Sequence, residues 1–482
     1  MSYLKKHNGR GLASSADRSY LVALVALLAA VAAGAAIGFG SPAFLLPAMI
    51  LIALAILSIL AEVPRKALLG WLVVGPAMVP FFRFPAGPRA IITFDRLWIL
   101  GLGWMCLATL VDLPRAAPQT KRLMWSFGAL SALMFLRALM GSAGGNSGLT
   151  IWLDAFLLPV AVLLLVRSVA TTEKYINQVL IALGVGGGIA AAIGIAGKVA
   201  GFSLATNSGG ALRVESGARD GLVTGIVRIA GPYAVPEVFV SVLLTSLAAT
   251  VCWTLRRGPT SRVAAGVLIA LQLAGIYLSY FRTGWAAALL ILVGALAIRK
   301  GEKQRAVVIV MLGLLMANLL VAQVAQLDVS GAVRLSNSQN TYGRLAAYKQ
   351  ALTMIENSPV IGVGIGGYNA TSLSLPPVFV NGVRNVSYPH NSLIQIAVEG
   401  GIILLAALLA FMWSVFRLLR RLWRIADRVP DQHLALCVSL ACSAYLLYGT
   451  PLSLVEYGGP SMALFALIGV CCAKLDNLTL SD

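Results

Sequence analysis

His390 is the residue of this sequence best placed for acid–base chemistry. It lies in Tyr388-Pro389-His390-Asn391-Ser392, at the end of a long polar interval (324–391) and just before an apolar run. The other two histidines lie in a basic N-terminal tail and in a loop predicted to be cytoplasmic. A neutral imidazole, with an ordinary pKa of about 6.5, accepts a proton from a hydroxyl group. The alternative is a His390 that only forms local hydrogen bonds at a helix start, where Asn391 or Ser392 is the natural cap.

Three arginines beside apolar runs are candidates for holding an anion. Arg282 follows Phe281 where the chain turns between two apolar runs in very few residues, and Arg228 stands just before another run. Arg344, close to Tyr342, begins an amphipathic stretch. A planar guanidinium fork binds two oxygens of a diphosphate at once. The alternatives are an Arg282 that snorkels to the membrane surface and solvated positions for the other two.

The elements that must position these residues are predicted to be transmembrane helices. The sequence is 59% apolar and 11% charged, whereas a soluble domain carries about 25% charged residues. A span needs about 20 apolar residues. We predict an all-α polytopic membrane protein with about 12–14 transmembrane helices, forming one integral membrane domain over residues 1–482. The predicted spans are 20–39, 43–62, 67–82, 91–111, 123–140, 151–169, 175–197, 236–255, 263–281, 285–298, 306–323, 392–416, 434–454 and 461–475.

The basic residues predict the orientation. Lysines and arginines collect in alternate short loops, and this positive-inside bias places both termini in the cytoplasm and the 324–391 loop outside. The same distribution argues against nucleic-acid binding, despite a net charge of +19. The six cysteines all lie in apolar runs without paired spacing, which argues against a disulfide or a zinc site.

A minority of basic residues falls on the predicted outer side, where the orientation is better served without them. Only a handful of acidic residues share that side, so the outer face is net positive and suits an anionic ligand. These basic residues are Arg83, Arg89, Arg96, Arg137, Lys198, Arg213, Arg219, Arg228, Arg282, Arg334, Arg344, Lys349 and Arg384.

The order of these motifs resembles the O-antigen ligase/polymerase family of GT-C membrane glycosyltransferases. The resemblance covers roughly residues 225–415. The motifs are Arg-x-x-Gly from Arg228, Arg-Thr-Gly from Arg282, Arg344 followed by Ser-Pro-x-x-Gly-x-Gly-x-Gly from Ser358, and His-Asn-x-x-x-Gln-x-x-x-Glu-x-Gly from His390 to Gly401.

The resemblance implies a GT-C-like fold and an enzyme of the bacterial inner membrane that works at the periplasmic face. Its donor would be a glycan on undecaprenyl diphosphate, and its acceptor the lipid A-core or a second lipid-linked glycan. It would use no metal or other cofactor, and we expect inversion at the anomeric carbon. His390 would be the catalytic base, Arg282, Arg344 and Arg228 would bind the diphosphate, and Asn391 and Tyr342 would support them.

Several alternatives stay open from the sequence. Polymerase, ligase and protein O-oligosaccharyltransferase share this chemistry and differ in the acceptor. A lipid-linked saccharide flippase or transporter is the alternative from another class, although transporters usually show repeated halves with interrupted helices. Glu399, deeper in the same predicted span as His390, is interpreted as structural and paired with a polar group in the bundle.

Overall fold

The structure is a computed structural model of the whole chain. It describes residues 64–78, 83–84, 92–105, 116–140, 147–200, 203–206, 212–215, 228–233, 235–256, 262–299, 338–385, 388–449 and 458–480. The predicted spans 20–39, 43–62 and 306–323 lie outside these residues.

The first half of the described chain consists of helices joined by short segments, two of which form strand pairs. These elements are α1 (Pro64–Met78), β1 (Arg83–Phe84), β2 (Ile92–Thr93), α2 (Phe94–Met105), α3 (Pro118–Leu139), α4 (Ser147–Trp152), a π-helical turn (Leu153–Leu157), α5 (Leu158–Val169), α6 (Glu173–Ala200), β3 (Ser203–Thr206) and β4 (Leu212–Glu215). Strands β1 and β2 pair antiparallel, as do β3 and β4.

The second half contains the predicted outer loop between two groups of helices. Its elements are α7 (Pro236–Arg256), α8 (Arg262–Leu278), α9 (Arg282–Arg299), α10 (Ser338–Asn357), α11 (Tyr368–Ser374), β5 (Phe379–Val380), β6 (Val383–Arg384), α12 (Ser392–Ile425), α13 (Val429–Gly449) and α14 (Gly458–Leu480).

Among the described residues, seven helices are long and apolar enough to cross a membrane. They are α3, the continuous α4–α5 helix, α6, α7, α12, α13 and α14, and α8 and α9 are shorter apolar helices. Each overlaps a predicted span, which confirms the all-α polytopic fold. The total of 12–14 spans stays a prediction. Helix α12 continues nine residues past the predicted 416, because its final arginines favour helix and need no break at the membrane surface.

Helix α7 is the centre of the bundle and is almost wholly enclosed by other helices. Its neighbour α6 uses glycines to approach two helices closely, α1 at Gly186 and α7 at Gly187. A Cβ on Gly186 would lie 2.3 Å from the carbonyl oxygen of Leu72, and one on Gly187 would lie 2.3 Å from Ser246. The small residues of α6 therefore serve helix packing, as their position in an apolar run predicts.

Ion pairs join the ends of four helices on one side of the bundle. Arg256, at the end of α7, pairs with Glu173 and with Asp431, 3.4 Å away. Lys474 of α14 also pairs with Asp431, at 2.9 Å, and with Glu173. These helix ends were all predicted to share the cytoplasmic side, so the structure agrees with the predicted alternation of the spans.

The described part of the 324–391 loop has a small core of its own. Tyr368 of α11 packs with Ala351 and Met354 of α10 and with Val398 of α12. A short hairpin, β5–β6, follows, and its turn residues Asn381 and Gly382 both have positive φ, as expected for the Asn-Gly turn that suits hairpins. This core attaches the outer loop to α12.

Candidate active site

The glycine-rich turn at 358–366 packs against a break in α12. Gly401 has φ 66° and ψ −169°, which is not helical, so the intrahelical hydrogen bonds are interrupted there. The turn restores pairing on both sides of the break. The hydrogen bonds run from Val363 N to Val398 O (2.8 Å), Gly364 N to Glu399 O (2.9 Å) and Ile402 N to Pro359 O (2.9 Å).

Two glycines of these motifs are required by this close approach. Gly362 has φ 68°, and a Cβ there would lie 2.4 Å from the carbonyl oxygen of Val398. A Cβ on Gly401 would lie 2.2 Å from the carbonyl oxygen of Val360. Both distances are far inside van der Waals contact, so the backbone of the turn and that of α12 touch only because neither residue has a side chain.

Glu399 fastens the other end of the turn to the helix. Its carboxylate accepts hydrogen bonds from the N–H of Gly366 (3.0 Å), the N–H of Tyr368 (3.4 Å) and the amide of Gln395 (3.3 Å). Glu399 is only 2% exposed, and buried carboxylates need such partners. This confirms a structural role, but two of its partners are backbone groups of the outer loop.

His390 lies two residues before α12 begins, in a strained conformation. Its φ is 45°, in the left-handed region that bulky residues rarely adopt and that is enriched at functional sites. The imidazole is half-buried, and neither ring nitrogen forms a hydrogen bond with another described residue. Burial, and after it the positive charge of Arg344, lowers the pKa of His390 below its ordinary value.

Arg344 of α10 is therefore close to His390. The arginine is half-buried, and within the described residues it has no hydrogen bond or ion pair. Tyr342, two residues earlier on the same helix, is also half-buried. Asn391 has a different role, since its side-chain oxygen accepts from Leu393 N (3.0 Å) and Ile394 N (3.1 Å) and caps α12, as predicted.

Arg228 packs against the turn between α8 and α9, just before Arg282. Its Nε donates to the carbonyl oxygen of Ser279 (3.0 Å), and its guanidinium lies 4.7 Å from the ring centre of Phe281. Arg282 is the first residue of α9. The structure thus brings Arg228 to the start of the Arg-Thr-Gly motif, and the position of the Arg282 side chain lies outside the description.

An apolar cavity of about 310 Å³ opens beside the start of α12. Ser392 and Leu393, immediately after His390 and Asn391, form part of its wall. The remaining lining is almost entirely apolar and comes from α3, the π-helical turn, α12, α13 and α14; it includes Phe127, Phe156, Phe411, Tyr445 and Phe465.

Tyr448, at the end of α13, connects the two groups of site residues. Its ring lies 5.5 Å from that of Phe281, the residue on which Arg228 stacks. The next residue, Gly449, lines the cavity together with Ser392. Tyr448 therefore contacts the turn on which Arg228 packs, and its neighbour Gly449 shares the cavity lining with Ser392, close to His390. Among the described side chains, Arg228 makes no direct contact with His390 or Arg344.

Comparison with known families finds that residues 265–409 match the family model described as O-Antigen ligase. This segment of the chain is therefore similar to the O-antigen ligase family. A search of curated proteins found no significant match.

The matched segment runs from α8 into α12 and contains Arg282, Arg344 and His390, while Arg228 precedes it. With the seven membrane-length helices, it supports a multi-pass membrane protein with a glycosyltransferase-like role. The O-antigen ligase family implies a lipid-linked glycan and an acceptor as substrates in general terms. Within the described ranges, no group of three His, Cys, Asp or Glu side chains is arranged to hold a metal ion.

Three residues around the candidate site were not singled out from the sequence. Tyr448 and Tyr280 gave no signal, since a tyrosine near the end of an apolar run is common at membrane surfaces. Arg137 was counted among the outer basic residues, and its Nη2 donates to the carbonyl oxygen of Gly362 (3.1 Å). It therefore supports the glycine-rich turn from α3, which only a contact between distant segments could reveal.

Proposed function

We propose that this protein is a periplasmic-face glycosyltransferase that moves a glycan from undecaprenyl diphosphate to an acceptor hydroxyl, without a metal ion and with inversion. The observation that carries the proposal is that Arg344 lies near enough to His390 to lower its pKa, and that His390 stands two residues before Ser392 in the wall of an apolar cavity. A proton acceptor and a guanidinium, neither with a hydrogen-bond partner among the described residues, and a site for a lipid chain are the three parts that such a reaction needs.

His390 acts as the general base. Its lowered pKa keeps the imidazole neutral at pH 7, and a neutral ring nitrogen removes the proton of the acceptor hydroxyl as that oxygen attacks the anomeric carbon. The backbone of His390 is left-handed, and its imidazole has no hydrogen-bond partner among the described residues. The ring nitrogen is therefore available to the acceptor hydroxyl. Attack from the face opposite the leaving diphosphate gives inversion.

The arginines hold the leaving group. A diphosphate gains negative charge as the glycosidic bond breaks, and fixed donors beside it stabilise that change by about 3–4 kcal/mol per well-placed group. Arg344 has no ion pair within the described residues, so it meets the diphosphate without losing a carboxylate partner. Arg228 packs against the turn between α8 and α9, and Arg282 is the first residue after that turn.

The apolar cavity accepts the part of the polyprenyl chain nearest the diphosphate. Its wall passes from Ser392 at the catalytic end to Phe411 and Val415 further along α12. Burying apolar lipid surface there favours binding of the donor. A lipid seated in it places its diphosphate next to His390 and Arg344.

The test is His390→Ala in the bacterium, with expression and membrane insertion verified. We expect transfer to fall by about 10²–10⁴-fold, the usual contribution of a general base, with unused lipid-linked glycan accumulating at the outer face. Glycan that stays at the inner face indicates a flippase, and undiminished glycan assembly removes His390 from the mechanism.

The acceptor is decided by the surface glycan of a deletion strain, analysed on a gel. A single capped repeat on the lipid A-core means polymerase. Loss of the whole ladder, with polymer left on the lipid carrier, means ligase, and an unchanged surface glycan with loss of protein-linked glycan means a protein O-oligosaccharyltransferase.

A further inference from the structure

Four arginines lie on one face of the last turns of α12, which we call the arginine face. Each is three or four residues from two of the others, a spacing that brings side chains to the same side of a helix; they are Arg417, Arg420, Arg421 and Arg424. All four are exposed. The opposite side of the same turns packs into the bundle, where Leu422 is fully enclosed. The bundle therefore fixes the direction in which the arginine face points.

The arginine face continues an apolar stripe of α12. Counting back from Arg417 at the same three- and four-residue intervals gives Trp413, Leu409 and Ala406, and all three are exposed. These residues belong to a helix that is long and apolar enough to cross the membrane, so their exposed side chains face lipid. The arginines consequently lie on the lipid-facing side of α12, directly after its apolar part.

Two tryptophans mark the level at which the apolar stripe ends. Helices α3 and α12 run antiparallel, because the end of α3 and the first turns of α12 both contact the glycine-rich turn. Further along, the ring of Phe127 lies 4.8 Å from that of Phe411. Trp125 and Trp413 each lie two residues from this pair, towards the same end of the bundle, and are 79% and 57% exposed. Since tryptophan is enriched where membrane meets water, these two rings indicate one membrane surface.

Arginines from both helices follow just beyond this surface. Arg417 lies about 6 Å past Trp413 along the helix axis, and Arg421 lies about 12 Å past it. On α3, the exposed Arg122 lies about 4–5 Å beyond Trp125. The headgroup layer of one leaflet is about 5–8 Å thick, and a long arginine side chain bends back towards it. These guanidinium groups are therefore within reach of the lipid phosphates.

The carboxylates at this end of the bundle leave the arginine face positive. Three of them, Glu173, Asp431 and Asp476, form ion pairs with cations of other helices. Within the described residues, the four arginines form no ion pair or hydrogen bond. Asp427 follows the helix and is exposed. One carboxylate does not neutralise four guanidinium groups, so the surface attracts anions.

We propose that the arginine face, together with Arg122, is a binding surface for anionic phospholipids of the leaflet on the predicted cytoplasmic side. A guanidinium fork binds two phosphate oxygens, and clustered basic residues directly beyond a span attract anionic headgroups. The positive-inside rule accounts for arginines on that side of the membrane, but it does not require them to share one lipid-facing stripe. The surface lies at the opposite end of α12 from His390, so the inference does not depend on the proposed function.

The experiment measures binding of phosphatidylglycerol to the purified full chain in zwitterionic detergent, with phosphatidylcholine as the lipid without net charge. We expect the wild type to bind phosphatidylglycerol more tightly. The triple variant Arg417→Gln, Arg420→Gln, Arg421→Gln should weaken that binding by about 10- to 100-fold, with binding of phosphatidylcholine unchanged. Lysine at the same three positions keeps the charge and should retain most of the affinity.

The matched control removes three exposed cations from other helices on the same predicted side. It carries Lys66→Gln, Lys174→Gln and Arg262→Gln, and it should bind phosphatidylglycerol as the wild type does. Equal weakening in the two triple glutamine variants means that net charge alone attracts the lipid, which overturns the inference. Equal affinity of the wild type for the two lipids also overturns it.

Added salt gives a test that needs no variant. Salt screens exposed charges, so it should reduce the preference of the wild type for phosphatidylglycerol over phosphatidylcholine. A preference that salt does not weaken comes from the lipid chains or from uncharged headgroup contacts, and it overturns the inference even where the glutamine variant fails to insert into the membrane.

Discussion

At the scale of single residues, the described site is defined by groups without partners rather than by hydrogen-bonded ones. Glu399 and Asn391 have their polar atoms occupied by backbone N–H groups, and both serve the structure. His390 and Arg344 have no such partners within the described residues, although both are half-buried. Half-buried polar groups left open in this way are expected where a substrate completes the hydrogen bonding.

The pH profile tests the link between Arg344 and His390. Because burial and the Arg344 charge lower the pKa of His390, the neutral base persists to a pH below 6.5, and kcat/KM falls only under more acidic conditions. Arg344→Gln removes the positive charge, so the pKa rises and the acidic limb of the profile moves to higher pH. Arg344→Lys retains the charge and leaves the limb near its wild-type position, even where overall activity is reduced. An acidic limb that does not move in Arg344→Gln contradicts the coupling.

At the scale of elements, the outer loop is joined to α12 by backbone contact. The turn at 358–366 supplies the partners that the break at Gly401 removes from the helix. Arg137 of α3 and Glu399 of α12 hold the two ends of that turn. The start of α12, and His390 with it, is therefore positioned by the outer loop as much as by the bundle.

Two alanine substitutions separate this contact from backbone strain alone. Gly362 and Gly382 both have positive φ, but a Cβ on Gly382 meets nothing within 4 Å, whereas one on Gly362 would overlap the carbonyl of Val398. Gly382→Ala should cost about 1–2 kcal/mol from the left-handed conformation. Gly362→Ala should cost more, by about 1–3 kcal/mol of overpacking, and should lower glycan transfer. Thermal unfolding in detergent measures the loss of stability in each variant. Equal losses would contradict close backbone contact between the turn at 358–366 and α12.

At the scale of the whole molecule, the ion pairs and the site lie at opposite ends of the helices. Glu173, Arg256, Asp431 and Lys474 join the ends of four helices, whereas His390 and Tyr448 lie at the other ends of α12 and α13. The first group joins helices of the bundle, and none of its four residues is part of the described cavity lining. Stability and catalysis should therefore respond to different substitutions.

Asp431→Asn tests that separation. Asp431 is 2% exposed and pairs with both Arg256 and Lys474, and breaking a buried pair costs about 3–5 kcal/mol. We expect a lower melting temperature with unchanged kcat/KM of the folded protein. Asp427→Asn, an exposed aspartate four residues earlier, is the control and should change neither. A loss of kcat/KM at full folding in Asp431→Asn means that the two ends are coupled.

The sequence by itself determined the membrane-length helices, and it predicted their alternation and the candidate residues of the outer side. Hydropathy and the positive-inside bias are sums over neighbouring residues, so they can be evaluated without knowing the fold. The Asn391 cap is equally local, and it was predicted correctly.

Only the tertiary structure decided which of these residues share a site. The approach of Arg344 to His390, the partners of Glu399 and the packing of Arg228 against the turn between α8 and α9 each join segments far apart in the chain. The glycines at 362 and 401 were visible as a pattern, but the carbonyl that each one touches was not. Such contacts depend on how the helices and the outer loop pack together, and that packing is a property of the assembled chain rather than of any stretch of it.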